Sequence, residues 1–188
     1  MSAGTYSGSG KSAGHSLGPN DRTWDDMKNL TAGVMNFNMF GVPFTGPDVC
    51  GTFGDADEEL CARWIQTSAF YPFARQFSDD ANMEPHAFQD ADNMNMAKSS
   101  LMERLRYSRQ LYTCLFEAQS AGQTCFDPLL FHFPTDDKTF KNTEESFIFA
   151  NALKISPVLE SGATQVTTYF PAGSWVSMKD YSVLTSTG

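Results

Sequence analysis

The run Phe37-Asn38-Met39-Phe40-Gly41-Val42-Pro43-Phe44, followed by Gly46-Pro47-Asp48-Val49-Cys50-Gly51, takes the chain from a helix through a short strand into a turn. Gly41 and Pro43 end the helix. A strand is predicted around Val42 to Thr45, and Gly46 to Gly51 is turn-rich. Upstream, Asp25 and Asp26 suit the positive end of that helix's dipole. Met27, Leu30, Val34 and Phe37 recur at three- and four-residue spacing and form its predicted buried face. Asn29-Leu30-Thr31 fits the glycosylation pattern but falls inside this helix.

Further out, residues 1–23 form a Gly/Ser-rich lead. Asp57-Glu58-Glu59 opens a second helix that runs to about Ser68, with Leu60, Trp64 and Thr67 on one side. Tyr71-Pro72-Phe73 stops it, and Arg75 to His86 reads as an acidic loop. A third helix is predicted over roughly Asn93 to Gln119, its stripe marked by Leu101, Leu105, Tyr112 and Leu115, with Ser108 as the one small polar member. Gly122 ends it. Phe126 to Phe133, Phe147 to Leu159 and Gln165 to Tyr169 read as strands, and the tail after Ser174 is weakly specified. Helices with short strands give way to mostly strands, so the fold class is α/β: part of an α/β domain followed by the start of a β domain.

The chain has 188 residues, 41% of them hydrophobic, and a net charge of -9. Sixteen phenylalanines supply aromatic material for a core or an interface. Acidity without a dense Lys/Arg run argues against nucleic-acid binding. Lys98, Arg104, Arg106 and Arg109, interrupted by Glu103, read as a solvated helix face. The N-terminal stretch lacks the apolar core of a secretory signal, and no apolar run is long enough to insert in a membrane. A cytoplasmic location or an intracellular assembly is therefore expected. His15, His86 and His132 form no recognisable metal set, and no dinucleotide or phosphate-loop motif is present, so no metal or other cofactor is expected. Cys50, Cys61, Cys114 and Cys125 contain no CxxC pair. Cys50 and Cys61 are near enough in sequence for a short-loop disulfide, while four buried thiols would equally fit a reducing compartment.

Several stretches in one order carry a family resemblance. They include Gly8-Ser9-Gly10-Lys11-Ser12-Ala13-Gly14-His15, the Phe37–Gly51 region, Glu58-Glu59-Leu60-Cys61-Ala62-Arg63-Trp64 and Ala69-Phe70-Tyr71-Pro72-Phe73-Ala74-Arg75. Glu84-Pro85, Phe131-His132-Phe133-Pro134, Ile155-Ser156-Pro157-Val158-Leu159 and Tyr169-Phe170-Pro171-Ala172-Gly173-Ser174-Trp175 continue it. From Thr5 to about Tyr181 the chain resembles glycoside hydrolase family 31, the α-glucosidase family. The resemblance implies a partial (β/α)8-barrel segment, about strands six to eight, with a β-rich extension. The expected divisions are 1–23 (lead and acid/base loop), 24–145 (barrel segment) and 146–188 (start of a β-sandwich-like domain). A whole barrel needs about 250 residues, so strand edges are left for a protein partner or larger assembly.

A retaining glycosidase needs two carboxyl groups about 5 Å apart. No segment here matches the one that bears the family's nucleophile. The family's acid/base aspartate falls on Pro19, within Gly14-His15-Ser16-Leu17-Gly18-Pro19-Asn20. Proline has no proton to give, and the Asn20 amide cannot transfer one at neutral pH. Asp21 is the nearest carboxylic acid, as a displaced acid/base. A sugar-contacting arginine is replaced by Ala3, and a sugar-binding histidine by Phe77 within Arg75-Gln76-Phe77-Ser78. The resemblance leaves Asp48 and Arg75 as substrate-binding candidates; Asp48 also suits a role supporting the Gly46-Pro47 turn. It aligns Cys50 and Cys61 with a pair often bridged in exported relatives, and gives Cys114 and Cys125 no assignment beyond core or partner-facing positions.

The expected function is a non-catalytic structural or interaction protein, a pseudoenzyme on a glycosidase fold. One alternative is a fragment or split subunit of an α-glucosidase hydrolysing O-glycosyl bonds. Another is weak α-glucoside binding through Asp48, Arg75, Trp64 and Phe77.

Overall fold

The computed structural model describes residues 4–55, 57–77 and 84–188. Ala3 and Ser78 lie outside this set. The first half alternates strands and helices: β1 (His15–Ser16), α1 (Trp24–Met39), β2 (Thr45–Gly46), β3 (Asp48–Val49), α2 (Glu58–Ser68) and β4 (Arg75–Gln76). β1 pairs in parallel with β2, and β4 in parallel with β3. Pro47 separates β2 from β3, so one central track has β1 on one flank and β4 on the other. A parallel bridge between Asp21 and Phe53 prolongs the arc. Adjacent strands approach so closely that a Cβ at Gly46 would lie 1.9 Å from the Phe73 carbonyl oxygen. An arc of parallel strands with intervening helices is a piece of a (β/α) barrel, and it is too short to close a ring.

Thr23 caps α1 by accepting from the Asp26 N–H at 3.0 Å, with Asp25 and Asp26 in the first turn. Met27, Thr31, Val34, Met35 and Asn38 are its buried residues, while Leu30 and Phe37 are only half-buried. The two polar members have partners. The Thr31 hydroxyl meets the Tyr71 hydroxyl at 2.8 Å, and the Asn38 side-chain Oδ1 accepts from the Cys125 N–H at 3.0 Å. Asp57 caps α2 through the Glu59 N–H, and Leu60, Trp64 and Thr67 are all buried on it.

The single third helix is corrected to two, α3 (Ala91–Arg106) and α4 (Ser108–Ala121), hinged at Tyr107. Tertiary contacts set the break. The Arg104 guanidinium donates to the carbonyls of Ser68, Ala69 and Tyr71 at 2.9, 3.2 and 2.7 Å, closing the C-terminus of α2. The stripe is corrected in part: Leu105 and Tyr112 are 67% and 76% exposed, Leu115 is partly buried against the core, and the buried positions are Ala97, Ser100 and Cys114. Gly122 ends α4 in the left-handed conformation, with φ of 73°.

The second half is antiparallel. β5 (Phe126–Pro128), β6 (Phe147–Phe149) and β7 (Leu153–Ile155) form a sheet in that order. The strand expected over Phe126 to Phe133 stops at Pro128, where the short helix α5 (Leu129–His132) begins. The strand expected over Phe147 to Leu159 is a hairpin. Ala150 and Asn151 both have positive φ (48° and 58°), and the Ala152 N–H donates to the Phe149 carbonyl, a β-turn inside the three-residue connection between Phe149 and its partner Leu153. Gln165 to Tyr169 joins no ladder; side chains hold it instead, the Tyr169 hydroxyl donating to Asp136 at 2.6 Å. The tail is also more ordered than expected, since β8 (Gly173–Val176) and β9 (Val183–Ser186) form a hairpin. The two halves share one core, in which Tyr71, Phe126 and Phe147 make successive ring contacts at 5.5 and 4.0 Å.

Two disulfides fasten these elements. Cys50–Cys61 joins the end of β3 to α2, with Cα atoms 4.6 Å apart. Cys114–Cys125 joins α4 to the approach to β5, with Cα atoms 5.7 Å apart. The second corrects the reading of Cys114 and Cys125 as unassigned core or partner-facing thiols.

Candidate active-site wall

The site is built where β1, β3 and β4 end, the C-terminal face that carries chemistry in barrels of this kind. Asp48 is its centre. Its side chain is 1% exposed, and the Arg75 side chain is 41% exposed. Arg75 Nε donates to Asp48 Oδ1 at 2.6 Å, and Thr52 Oγ1 donates to Asp48 Oδ2 at 3.0 Å. The backbone of Asp48 is held by Asn20, whose Nδ2 donates to the Asp48 carbonyl at 3.2 Å and whose Oδ1 accepts from the Asp48 N–H at 3.1 Å. Gly18 closes the last side, because a Cβ there would sit 2.2 Å from Asp48 Oδ2.

The two substrate-binding candidates are thus in contact but differ in exposure: both Asp48 carboxylate oxygens are engaged with almost no exposed surface, and Arg75 is partly exposed. Arg75 Nη2 also donates to Ser16 Oγ at 3.3 Å, and the guanidinium lies 5.4 Å from the Phe77 ring centroid. The wall is therefore an arginine braced from three strands beside an exposed aromatic ring.

Pro19 is exposed in the loop after β1. Asp21 is exposed as well; its backbone pairs with Phe53 and its N–H donates to Asp26 Oδ2 at 2.7 Å. Asp21 is thus fixed by its backbone while its carboxyl group faces outward. Trp64 is fully buried in the core, which removes it from any sugar-stacking surface. Among the described residues, no group of three His, Cys, Asp or Glu side chains is placed to hold a metal ion, and no helix is long and apolar enough to cross a membrane. Ser16, Gly18, Asn20 and Thr52 were not singled out as site residues by sequence reasoning. Asn20 was read only as an amide that cannot transfer a proton, because its partner Asp48 lies 28 residues away in sequence.

A parallel arc with a braced charged pair on its C-terminal face defines part of a (β/α) barrel. Comparisons with known proteins agree. Residues 1–114 match the Glycosyl hydrolases family 31 TIM-barrel domain, and residues 122–187 match the Glycosyl hydrolase family 31 C-terminal domain. The chain belongs to glycoside hydrolase family 31. It is 40% identical to lysosomal alpha-glucosidase of Mus musculus, over 97% of this chain and 19% of that protein. It is 38% identical to a probable alpha-glucosidase of Oryza sativa subsp. japonica, over 100% of this chain and 21% of that protein. The solved glucosidase II alpha subunit bound to Glc1Man2 superposes with a TM-score of 0.85 at 26% identity, over 92% of this chain and 19% of that one. A Flavobacterium johnsoniae dextranase of the same family, complexed with glucose, gives 0.85 and 26% over 92% of this chain and 22% of that one. The chain thus spans about a fifth of the length of these relatives.

Proposed function

We propose that this chain is the acid/base-side segment of an α-glucosidase-type glycoside hydrolase that acts on O-glycosyl bonds of α-glucosides. Its arc is completed by barrel strands outside the segment, on the same chain or on a protein partner. The observation that carries this reading is the Asp48–Arg75 pair, with its brace of Asn20, Thr52 and Ser16 facing the end of the strands. Arg75 binds sugar hydroxyls and Phe77 offers a ring to a sugar face. Asp48 acts as the positioning residue.

A second reading is favoured by one specific observation. Pro19 stands where the family resemblance places the proton donor, and Phe77 where it places a sugar-binding histidine. On that reading the segment holds carbohydrate or partner without cleaving. In either case the segment supplies binding architecture and no proton donor at position 19; Asp21 is the one carboxylic acid in the loop after β1.

The sheet of β5, β6 and β7 supports a domain division near residue 122 in preference to 146, since β5 belongs to the same ladder as β6. The two disulfides favour an oxidising compartment over the cytoplasm.

The test is a chimera in which residues 1–187 replace the corresponding segment of mouse lysosomal alpha-glucosidase. Calorimetric titration with an α-glucoside should show saturable binding, and Arg75→Ala should weaken it about tenfold, the loss of a charge-assisted hydrogen bond. A chimera that folds and binds equally well with and without Arg75 contradicts the assignment.

A further inference from the structure

The pattern Asn29-Leu30-Thr31 lies inside α1, and no other Asn-x-Ser/Thr occurs in the 188 residues. An α-helix turns by about 100° per residue, so Asn29 and Thr31 point to nearly opposite sides of it. Thr31 is fully buried. Its hydroxyl donates to the Met27 carbonyl at 2.9 Å and meets the Tyr71 hydroxyl at 2.8 Å. Asn29 is exposed, in line with Asp25 and Asn36, which are exposed as well. These three positions fall within about 40° of one another around the helix and form its outward face. The apolar residues Met27, Val34 and Met35 are buried on the other side. Among the described residues, the side chains of Thr31 and Asn38 on this helix are hydrogen-bonded, and that of Asn29 is not. Lys28, one residue round the helix, makes the ion pair to Glu144 at 3.5 Å, so the approach of the Thr143–Glu145 turn leaves the outward face open.

We propose that Asn29 is an N-glycan acceptor, modified before α1 folds and left on the outside once it has folded. The inference rests on the oxidising compartment that the two disulfides favour.

The pattern works because its hydroxyl residue is presented together with the asparagine to the transferring enzyme. In the folded helix that presentation is lost: the Thr31 hydroxyl is turned into the core and already engaged. Transfer therefore needs the unfolded chain. In the step, the Asn29 amide nitrogen bonds to the anomeric carbon of an oligosaccharide carried on a lipid diphosphate. The carbon–oxygen bond to the diphosphate breaks, the amide gives up one proton, and the lipid diphosphate leaves. No oxidant or reductant is required.

Folding then sorts the two residues. A glycan is bulky and strongly solvated, so it is compatible with a helix only at a surface position. Asn29 is such a position; two residues further on, a glycan would have to enter the core. A glycan at Asn29 keeps the outer face of α1 in solvent. The strands that complete the arc then approach at β1 and β4, where it ends, and not over this helix.

The full chain, preceded by a cleavable secretory signal, is made in cultured animal cells, and its mobility is compared before and after N-glycosidase F. One shift is expected, removed by the glycosidase and absent from Asn29→Gln. Peptide mass spectrometry should find the Asn29 amide converted to a carboxyl group by the digestion. In a second arm, purified oligosaccharyl transferase and its lipid-linked donor are offered the reduced, unfolded chain and the folded chain. The unfolded chain should be modified at least about tenfold faster, because the folded one must first open α1. Absence of a shift from a chain whose cysteines resist thiol labelling overturns the inference and leaves the compartment reading standing. Absence of a shift together with free thiols overturns both. Equal rates for the folded and unfolded chains overturn the order of modification and folding.

Discussion

Burying a carboxylate costs several kcal/mol unless a cation and hydrogen bonds replace its water. At Asp48 the replacements come from Arg75 and Thr52, while the Asn20 side chain fixes the Asp48 backbone. The partners should therefore respond unequally to mutation. Arg75→Met leaves the anion buried with Thr52 alone and should cost about 2 kcal/mol, the figure moderated because Arg75 is partly solvated. Asp48→Asn removes the buried charge and leaves Arg75 near water, so it should cost less; urea unfolding of the two variants checks the order. Gly18→Ala drives a methyl group into the Asp48 carboxylate and should cost more than about 1 kcal/mol by overpacking.

Lys154 makes a separate contribution at the residue scale. Its folded pKa is depressed, so its charged form opposes folding. Stability should rise as pH climbs from about 8 toward 10.5, while the unfolded chain still binds the proton that the folded chain has lost. Tyr71 has the opposite sense. Burial raises its pKa above the ordinary 10.0, so its contribution is full below that value and is lost as pH rises past it. The gain from Lys154 should be visible in melting temperatures between pH 8 and 9.5, and Lys154→Met should abolish it.

At the scale of elements, the Cys114–Cys125 link ties α4 to the sheet that begins at β5. Its eleven-residue separation implies about 3 kcal/mol from the constrained unfolded chain, so Cys114→Ser with Cys125→Ser should lower stability by about that amount. The legibility of the elements varied with the locality of their causes. The starts of α1 and α2 were readable because Asp25, Asp26 and Asp57 act within one turn of where they stand. The break at Tyr107 was not, because no glycine or proline marks it; Arg104 reaches the end of α2 from more than 30 residues away. The stripe of Leu101, Leu105 and Tyr112 had the right period on the wrong face, since periodicity gives a face and not what covers it. The hairpin at Ala150-Asn151 was hidden by strong β propensity on both sides, although Asn151 was its local signal. In the site, Asp48 and Arg75 were legible as types, but their brace depends on three strands being brought together.

At the scale of the molecule, the parallel arc ends at β1 on one side and β4 on the other. The relatives are about five times longer. An incomplete arc should bind the strands that complete it, and binding to the folded state raises stability by mass action. Adding a barrel portion of a family 31 relative that lacks this segment should raise the melting temperature of the chain in a concentration-dependent way. No shift at any concentration would weigh against the completed barrel. Cysteine labelling of the chain under non-reducing denaturation should find no free thiol, as two disulfides require.

The most direct measurement is kcat of the mouse lysosomal alpha-glucosidase chimera on an α-glucoside with a poor leaving group, before and after Pro19→Asp. A carboxylic acid restored at the proton-donor position should raise kcat by about 10²- to 10⁴-fold, the usual contribution of general acid catalysis. A Pro19 chimera already as fast as the Pro19→Asp form, or one whose full activity vanishes with Asp21→Asn, would contradict the placement of the missing donor at residue 19.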